Sequence, residues 1–131
     1  MILLLDTHIW FWWVNAEHQR LTPNILKLLS ESDRVVIASV SCFEIALATE
    51  KCKIGLPCSI RDWFAEALEK SGIELIHLTP AIAEKAVNLT PVHKDPFDRI
   101  ILATAIEIDA RLLSLDTNFP RYPEIKNHLI V

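Results

Sequence analysis

Short, wholly apolar runs alternate with stretches of helical periodicity along this chain, and that alternation constrains the fold more than any other feature. Ile2-Leu3-Leu4-Leu5 is one such run and Val35-Val36-Ile37-Ala38 another. Strands buried on both faces read this way, whereas a strand with one wet face alternates apolar and polar residues. Glu74-Leu75-Ile76-His77, Arg111-Leu112-Leu113-Ser114 and Leu129-Ile130-Val131 are weaker members of the series. Between them, Thr22-Pro23 opens a helix to about Glu31, Thr79-Pro80 one to about Asn88, and Asp95-Pro96 a long one to about Asp109. Each pairs a capping side chain with proline at the first helical position. Thr7 to Asn15, Ser41 to Thr49 and Ser59 to Lys70 supply three more helices. Strands alternating with helices give the α/β class, with a parallel sheet and crossover helices.

At 131 residues the chain is expected to be a single domain, residues 1–131, able to bury a real core without staples. With only Gly55 and Gly72 it holds no glycine-rich phosphate loop, dinucleotide fingerprint or Gly-x-Ser-x-Gly elbow. Cys42, Cys52 and Cys58 form no Cys-x-x-Cys pair, so neither a disulfide framework nor a cysteine zinc site is expected, and a reducing cytoplasm is. The apolar start is cut by Asp6 and His8 and has no basic leader, so no signal peptide or membrane association is expected. A net charge of −4 does not recruit nucleic acid by bulk attraction. A polyanionic substrate has to be held by local basic residues or by metal ions.

In a parallel α/β sheet the helices run antiparallel to the strands. Helix N-termini therefore gather at the carboxyl edge, where ligands bind at the point of reversed strand order. Four acids from four separate segments fall at strand ends or helix starts. Asp6 follows the first strand, Glu44 lies near the start of a helix, Asp98 is the third residue of another, and Asp116 follows Arg111-Ser114. Each has an ordinary local reading: Asp6 and Asp95 as N-caps, Glu44 in a capping box with Ser41, Asp98 at a helix dipole, and Asp116 in an Asx turn. Together they crowd one edge. Carboxylates packed within ~4–6 Å of one another repel, and a divalent cation such as magnesium or manganese relieves the repulsion while leaving room for phosphate.

Leu4-Leu5-Asp6-Thr7-His8, Ser39-Val40-Ser41-Cys42-Phe43-Glu44-Ile45-Ala46, His93-Lys94-Asp95-Pro96-Phe97-Asp98-Arg99 and Leu115-Asp116-Thr117-Asn118-Phe119 resemble the ordered motifs of PIN-domain proteins, and most of all the VapC-type toxins of bacterial toxin–antitoxin pairs. Leu115, where many members carry a small residue, and Cys42, where many are bulkier, depart from the pattern without touching an acid. The resemblance implies a three-layer α/β/α fold with a four- or five-stranded parallel sheet. It implies a Mg2+- (or Mn2+-) dependent endoribonuclease, silenced by a cognate antitoxin, with a homodimer expected from the family. Asp6, Glu44, Asp98 and Asp116 match the acidic quartet, as both catalytic and metal-holding residues, with Asp6 and Asp98 most directly tied to the metal. Asp95 is assigned a structural role, capping the helix that presents Asp98. The mechanism implied is in-line hydrolysis of an RNA phosphodiester by metal-activated water.

Around the quartet, Thr7 is expected to orient water or phosphate, and Arg99, Lys51, Lys53 and Lys94 to meet the RNA backbone. His93 and His8 are read as packing or phosphate-facing groups. Ile9-Trp10-Phe11-Trp12-Trp13-Val14 is apolar all round a helix, whereas a surface helix needs one apolar stripe. Ile9, Trp12 and Trp13 can cover the sheet. Trp10, Phe11 and Val14 then form a patch for an amphipathic antitoxin segment, unless the helix from Asn24 to Leu29 buries them. A catalytically inactive PIN-fold scaffold binding RNA or antitoxin is the alternative function, disfavoured because every acid is present. A dehalogenase-type phosphotransferase needs a second aspartate where His8 stands. A phosphorelay receiver needs an acidic pair at Asp6 that the sequence lacks.

Overall fold

The alternation of apolar runs and helices folds, in this computed structural model describing residues 1–130, as a wholly parallel sheet of five strands in the order β3-β2-β1-β4-β5. The strands are β1 (Ile2–Leu5), β2 (Arg34–Ala38), β3 (Glu74–Ile76), β4 (Arg111–Leu113) and β5 (Leu129–Ile130). Val131, expected to close the last strand, lies outside the described residues. The helices are α1 (Thr7–Val14), α2 (Pro23–Glu31), α3 (Ser39–Glu50), α4 (Ile60–Ala65), α5 (Pro80–Asn88) and α6 (Pro96–Glu107). The stretch expected as one helix to Lys70 instead ends in a π-helical turn, Glu66–Lys70. No helix is long and apolar enough to cross a membrane among the described residues.

Side chains on a strand alternate between faces, so the unbroken apolar run of β1 feeds two cores at once. Leu4 packs with Val36, Leu112 and the α5 and α6 residues Ile82, Ala86, Ile101 and Leu102. Leu3 and Leu5 pack on the other side with Ile37, Leu113, Ile9, Ile25 and Trp63. All three leucines are fully buried. Each contributes about 1.5–3 kcal/mol relative to exposure. Pro at the first turn and a capping threonine start α2 and α5 as expected. Thr22 accepts from the Ile25 N–H and Thr79 from the Ile82 N–H.

Two expectations on the helices are corrected. Helix α3 begins at Ser39, with Ala38 at the cap and no side-chain cap bond, so Ser41 and Glu44 lie inside the helix and form no capping box. Helix α1 turns a different face inward. Trp10 is fully buried, donates its indole N–H to the Ala67 carbonyl at 3.1 Å, and packs edge-on against Trp63 at 5.0 Å. A free polar N–H would penalise that burial, and the Ala67 carbonyl in the π-helical segment satisfies it. Trp10 is therefore core and not a partner surface, covered by α4 and the turn after it. Phe11 and Val14 stay half-buried.

The chain runs from β1 outward through β2 to β3, then crosses to the far side of β1 for β4 and β5. The order reverses between β1 and β4, and Asp6 and Asp116 follow those two strands.

Candidate active site

Asp6 is the N-cap of α1 and is 7% exposed. Its Oδ1 accepts the Thr7 N–H at 2.8 Å and its Oδ2 the Ser114 hydroxyl at 2.9 Å. Burial pushes its carboxyl above the ordinary range; the bonds from Ser114 and Thr7 oppose this, and the Asp116 charge adds to it. The Ser114 hydroxyl also accepts the Asp116 N–H at 3.0 Å. One side chain thus ties the carboxylate after β1 to the backbone after β4. Asp116 Oδ1 accepts the Asn118 N–H at 2.8 Å, the Asx turn that its surroundings predict.

Glu44 reaches the edge from the first half of α3. Its Oε1 accepts the Thr7 hydroxyl at 2.7 Å, and Thr7 Oγ1 stands 2.7 Å from Ser41 Oγ. A threonine hydroxyl has one proton. With that proton given to Glu44, Ser41 donates to Thr7, and a relay Ser41→Thr7→Glu44 results. Thr7 is buried and committed to this relay, so it positions Glu44 and is not the free substrate ligand expected. Burial pushes the Glu44 carboxyl up, with the Asp6 and Asp95 charges adding and Thr7 opposing.

Asp98 stands third in α6, behind the cap Asp95, whose Oδ1 accepts the Phe97 N–H at 2.9 Å. Its carboxyl is pushed up to about 7, first by burial and then by the charges of Asp95, Asp6, Asp116 and Glu44. All four members of the expected quartet therefore share one field. Among the described residues, His93, Asp95 and Asp98 bring ligand atoms within 4.8 Å of one another. His93 Nδ1 accepts the Asp95 N–H at 3.2 Å and lies 3.7 Å from Asp98 Oδ2. That close approach of His93 was not expected from the sequence. Its one signal was the two-residue spacing His93-Lys94-Asp95. The donor set is dominated by hard carboxylate oxygens with mutual repulsion left unrelieved, and it fits a small hard cation such as Mg2+ or Mn2+ that keeps several waters.

Arg99 does not face this edge. Its guanidinium donates to the carbonyls of Ala86 (3.1 Å), Val87 (3.2 Å), Leu89 (2.7 Å) and Thr90 (3.0 Å), and lies 5.9 Å from the Tyr122 ring centroid. One residue beyond Asp98 is about 100° further round a helix, and that turn points it at the open C-terminal carbonyls of α5. The expected phosphate contact is corrected to a brace. Tyr122, buried and missed by the sequence reading, donates its hydroxyl to the His93 carbonyl and accepts the His93 N–H, both at 3.1 Å. Lys51 and Lys53 do fall near the acids. They are exposed and line a recess of about 280 Å³ with Glu44, Asp95 and Phe97. Lys94 is exposed.

An acid-lined edge at the reversal point of a parallel sheet defines an α/β domain with its candidate site between β1 and β4. The PIN domain family model matches residues 3–125, and the chain belongs to the PIN-domain family. It is similar to Ribonuclease VapC22 of Mycobacterium tuberculosis (strain ATCC 25618 / H37Rv), 36% identical over 115 residues, covering 87% of this chain and 86% of that one. The same fold occurs in VapBC2 from Rickettsia felis, described as bound to a DNA fragment from its promoter. There the TM-score is 0.69 at 19% identity, over 95% of each chain. A toxin–antitoxin complex from Klebsiella pneumoniae gives a TM-score of 0.67 at 20% identity, over 98% of this chain and 96% of that one.

Proposed function

We propose that this chain is a ribonuclease of the VapC type, the toxin of a toxin–antitoxin pair, and that it hydrolyses RNA phosphodiester bonds with a divalent cation held at Asp6, Glu44, Asp98 and Asp116. The observation that carries the reading is the crowding at Asp98: burial first, and then the charges of Asp95, Asp6, Asp116 and Glu44, push its carboxyl up to about 7. A protein gains nothing structural from that repulsion, and sites with such perturbed acids are candidates for chemistry. When bound, the cation supplies a water of lowered pKa and offsets charge on the reacting phosphate. Asp6 is held by Ser114 and Thr7, and Glu44 by Thr7, so both carboxylates are oriented in advance. His93 and Asp95 border the same cluster. Lys51 and Lys53 are placed to meet backbone phosphates beside Glu44.

The groove lined by Val14, Leu56, Pro57 and Trp63, about 560 Å³, is the surface for an amphipathic antitoxin segment, with Val14 and its half-buried neighbour Phe11 retained from the expected patch. A homodimer and a cytoplasmic setting, in keeping with three free cysteines, belong to the same reading. The test is RNA cleavage by the purified protein with Mg2+ or Mn2+ against chelator, beside Asp6→Asn and Asp98→Asn. Cleavage that needs the metal and is lost in both variants is expected. Cleavage surviving chelator or both substitutions refutes the mechanism.

A further inference from the structure

Beside the acids lies a recess of about 310 Å³ with a lining of two kinds: the carboxylates Asp6 and Asp116, and the largely apolar set His8, Ile9, Trp12 and Leu115. Resting on the ribonuclease reading above, we propose that this recess seats the nucleobase of a nucleotide flanking the scissile phosphate, with Trp12 as its stacking platform. The volume is at the low end of small-molecule pockets, roughly 300–1,000 Å³. Its apolar wall is continuous with the two carboxylates that bracket the β1/β4 reversal. The base next to a phosphate that Asp6 and Asp116 would hold with a cation would meet that wall.

Three features single out Trp12. Trp10 and Trp63 are buried and spend their indole N–H groups on Ala67 and Asn15. Trp12 is half-buried and makes no such bond among the described residues, so its ring edge and N–H face the recess or solvent. His8, one helical turn earlier, stands 5.7 Å from it at 40°, and the Arg20 guanidinium lies 5.5 Å from its ring centroid. The Arg20 guanidinium thus covers one face of the ring as a cation–π partner, and because Arg20 does not line the recess, the side turned to the recess is the one left for a base. Leu115, 41% exposed, adds an accessible apolar side chain to the same lining. The second argument is electrostatic. Proteins that hold single-stranded nucleic acid combine basic grooves with base stacking. This chain, with 17 acids against 13 lysines and arginines, has little of the first to offer. Stacking is independent of net charge and every base has a π-face, so an acidic ribonuclease has to lean on it.

The test uses a short oligoribonucleotide that the wild-type protein cleaves in Mn2+, made in versions with one abasic ribose at successive positions around the cut. One abasic position next to the cut is expected to raise KM about 5- to 100-fold for wild type, the span that one base–aromatic stack accounts for. Trp12→Ala is expected to raise KM by the same factor on the intact RNA and to lose sensitivity to the abasic site. Trp12→Phe restores both, and Leu115→Ala, elsewhere on the lining, reproduces the effect in part without touching the core. Abasic and intact RNA cleaved equally by wild type overturn the pocket assignment alone. So does a Trp12→Ala protein that keeps the full abasic penalty, which places the base elsewhere. A wild-type protein that cleaves no RNA overturns the ribonuclease reading and this assignment with it.

Discussion

Ser114 donates its hydroxyl to Asp6 across 108 positions of sequence while accepting the Asp116 N–H, so a single oxygen sets the spacing of two acids on neighbouring strands. Among the influences on Asp6 this bond is the largest that favours the ionised carboxylate. Ser114→Ala removes it between two residues that are both buried. The expected outcome is a loss of divalent-cation affinity of roughly 10–100-fold, the usual cost of deleting a residue that orients a metal-holding side chain. Cleavage should recover as Mn2+ is raised. Calorimetric titration of Mn2+ into wild type and variant measures it, and unchanged affinity would show that the bond serves stability alone.

The Asp98 carboxyl has an ordinary value of 3.8 and is pushed up to about 7 in the folded chain. Below about 4 the group is protonated in both states. Between there and 7 the folded state binds more protons than the unfolded one, so stability falls as pH rises, and above 7 the loss is complete. Burial of Asp6 and Glu44 acts in the same direction. In chelator, the melting temperature at pH 7.5 should therefore lie below that at pH 5.5. Asp98→Asn should raise the pH 7.5 value by on the order of 3 °C and shrink the difference. Mg2+ should stabilise wild type at pH 7.5 and release protons as it binds. A chelated wild type that melts higher at pH 7.5 than at pH 5.5, with Asp98→Asn melting no higher than wild type, refutes the crowding account.

The parallel sheet, its edge and the four acids were legible because each rests on a local signal. Unbroken apolar runs mark doubly buried strands, Thr-Pro and Asp-Pro mark helix starts, and acids placed at those junctions mark the edge. What stayed hidden depends on rotation and on distant partners. Trp10 and Phe11 are both large aromatics in one apolar run, and only the fold shows that Trp10 is the buried one, with its indole N–H on the Ala67 carbonyl. Ser41-x-x-Glu44 has capping-box spacing, but the helix starts two residues earlier, and Glu44 turns to Thr7. Tyr122 lies in a proline-flanked segment with no chemical motif, yet both its bonds go to the His93 backbone.

Arg99 illustrates how a basic residue beside a candidate catalytic acid can serve as a structural brace. Its donors meet the carbonyls that end α5, and through Leu89 and Thr90 they fix the start of the segment that carries His93 and Asp95 to the edge. Arg99→Ala is expected to destabilise the fold by about 2–3 kcal/mol, the scale for charged donors leaving part-buried carbonyls unpaired. Arg99→Lys should recover little, because an ammonium cannot span several carbonyls as a planar fork does. Urea unfolding checks the stability. If Arg99→Lys keeps full stability but loses RNA affinity, the side chain contacts phosphate after all.

Trp10 and Val14 separate core from proposed interface on one helix. Trp10→Ala removes a fully buried indole, its bond to Ala67 and its packing on Trp63. Substitutions of this kind cost about 3–5 kcal/mol, a large share of the roughly 5–15 kcal/mol that holds a domain folded. The variant should melt far lower or be recovered poorly. Val14, half-buried on the rim of the groove with Leu56 and Trp63, is expected to behave otherwise. Val14→Asp should leave the melting temperature within a few degrees while weakening capture of the co-expressed antitoxin by at least tenfold, because a desolvated carboxylate opposes an apolar helix face. Unfolding curves and antitoxin titrations on both variants decide the matter. A Val14→Asp protein that binds antitoxin as wild type does would move the antitoxin off this groove.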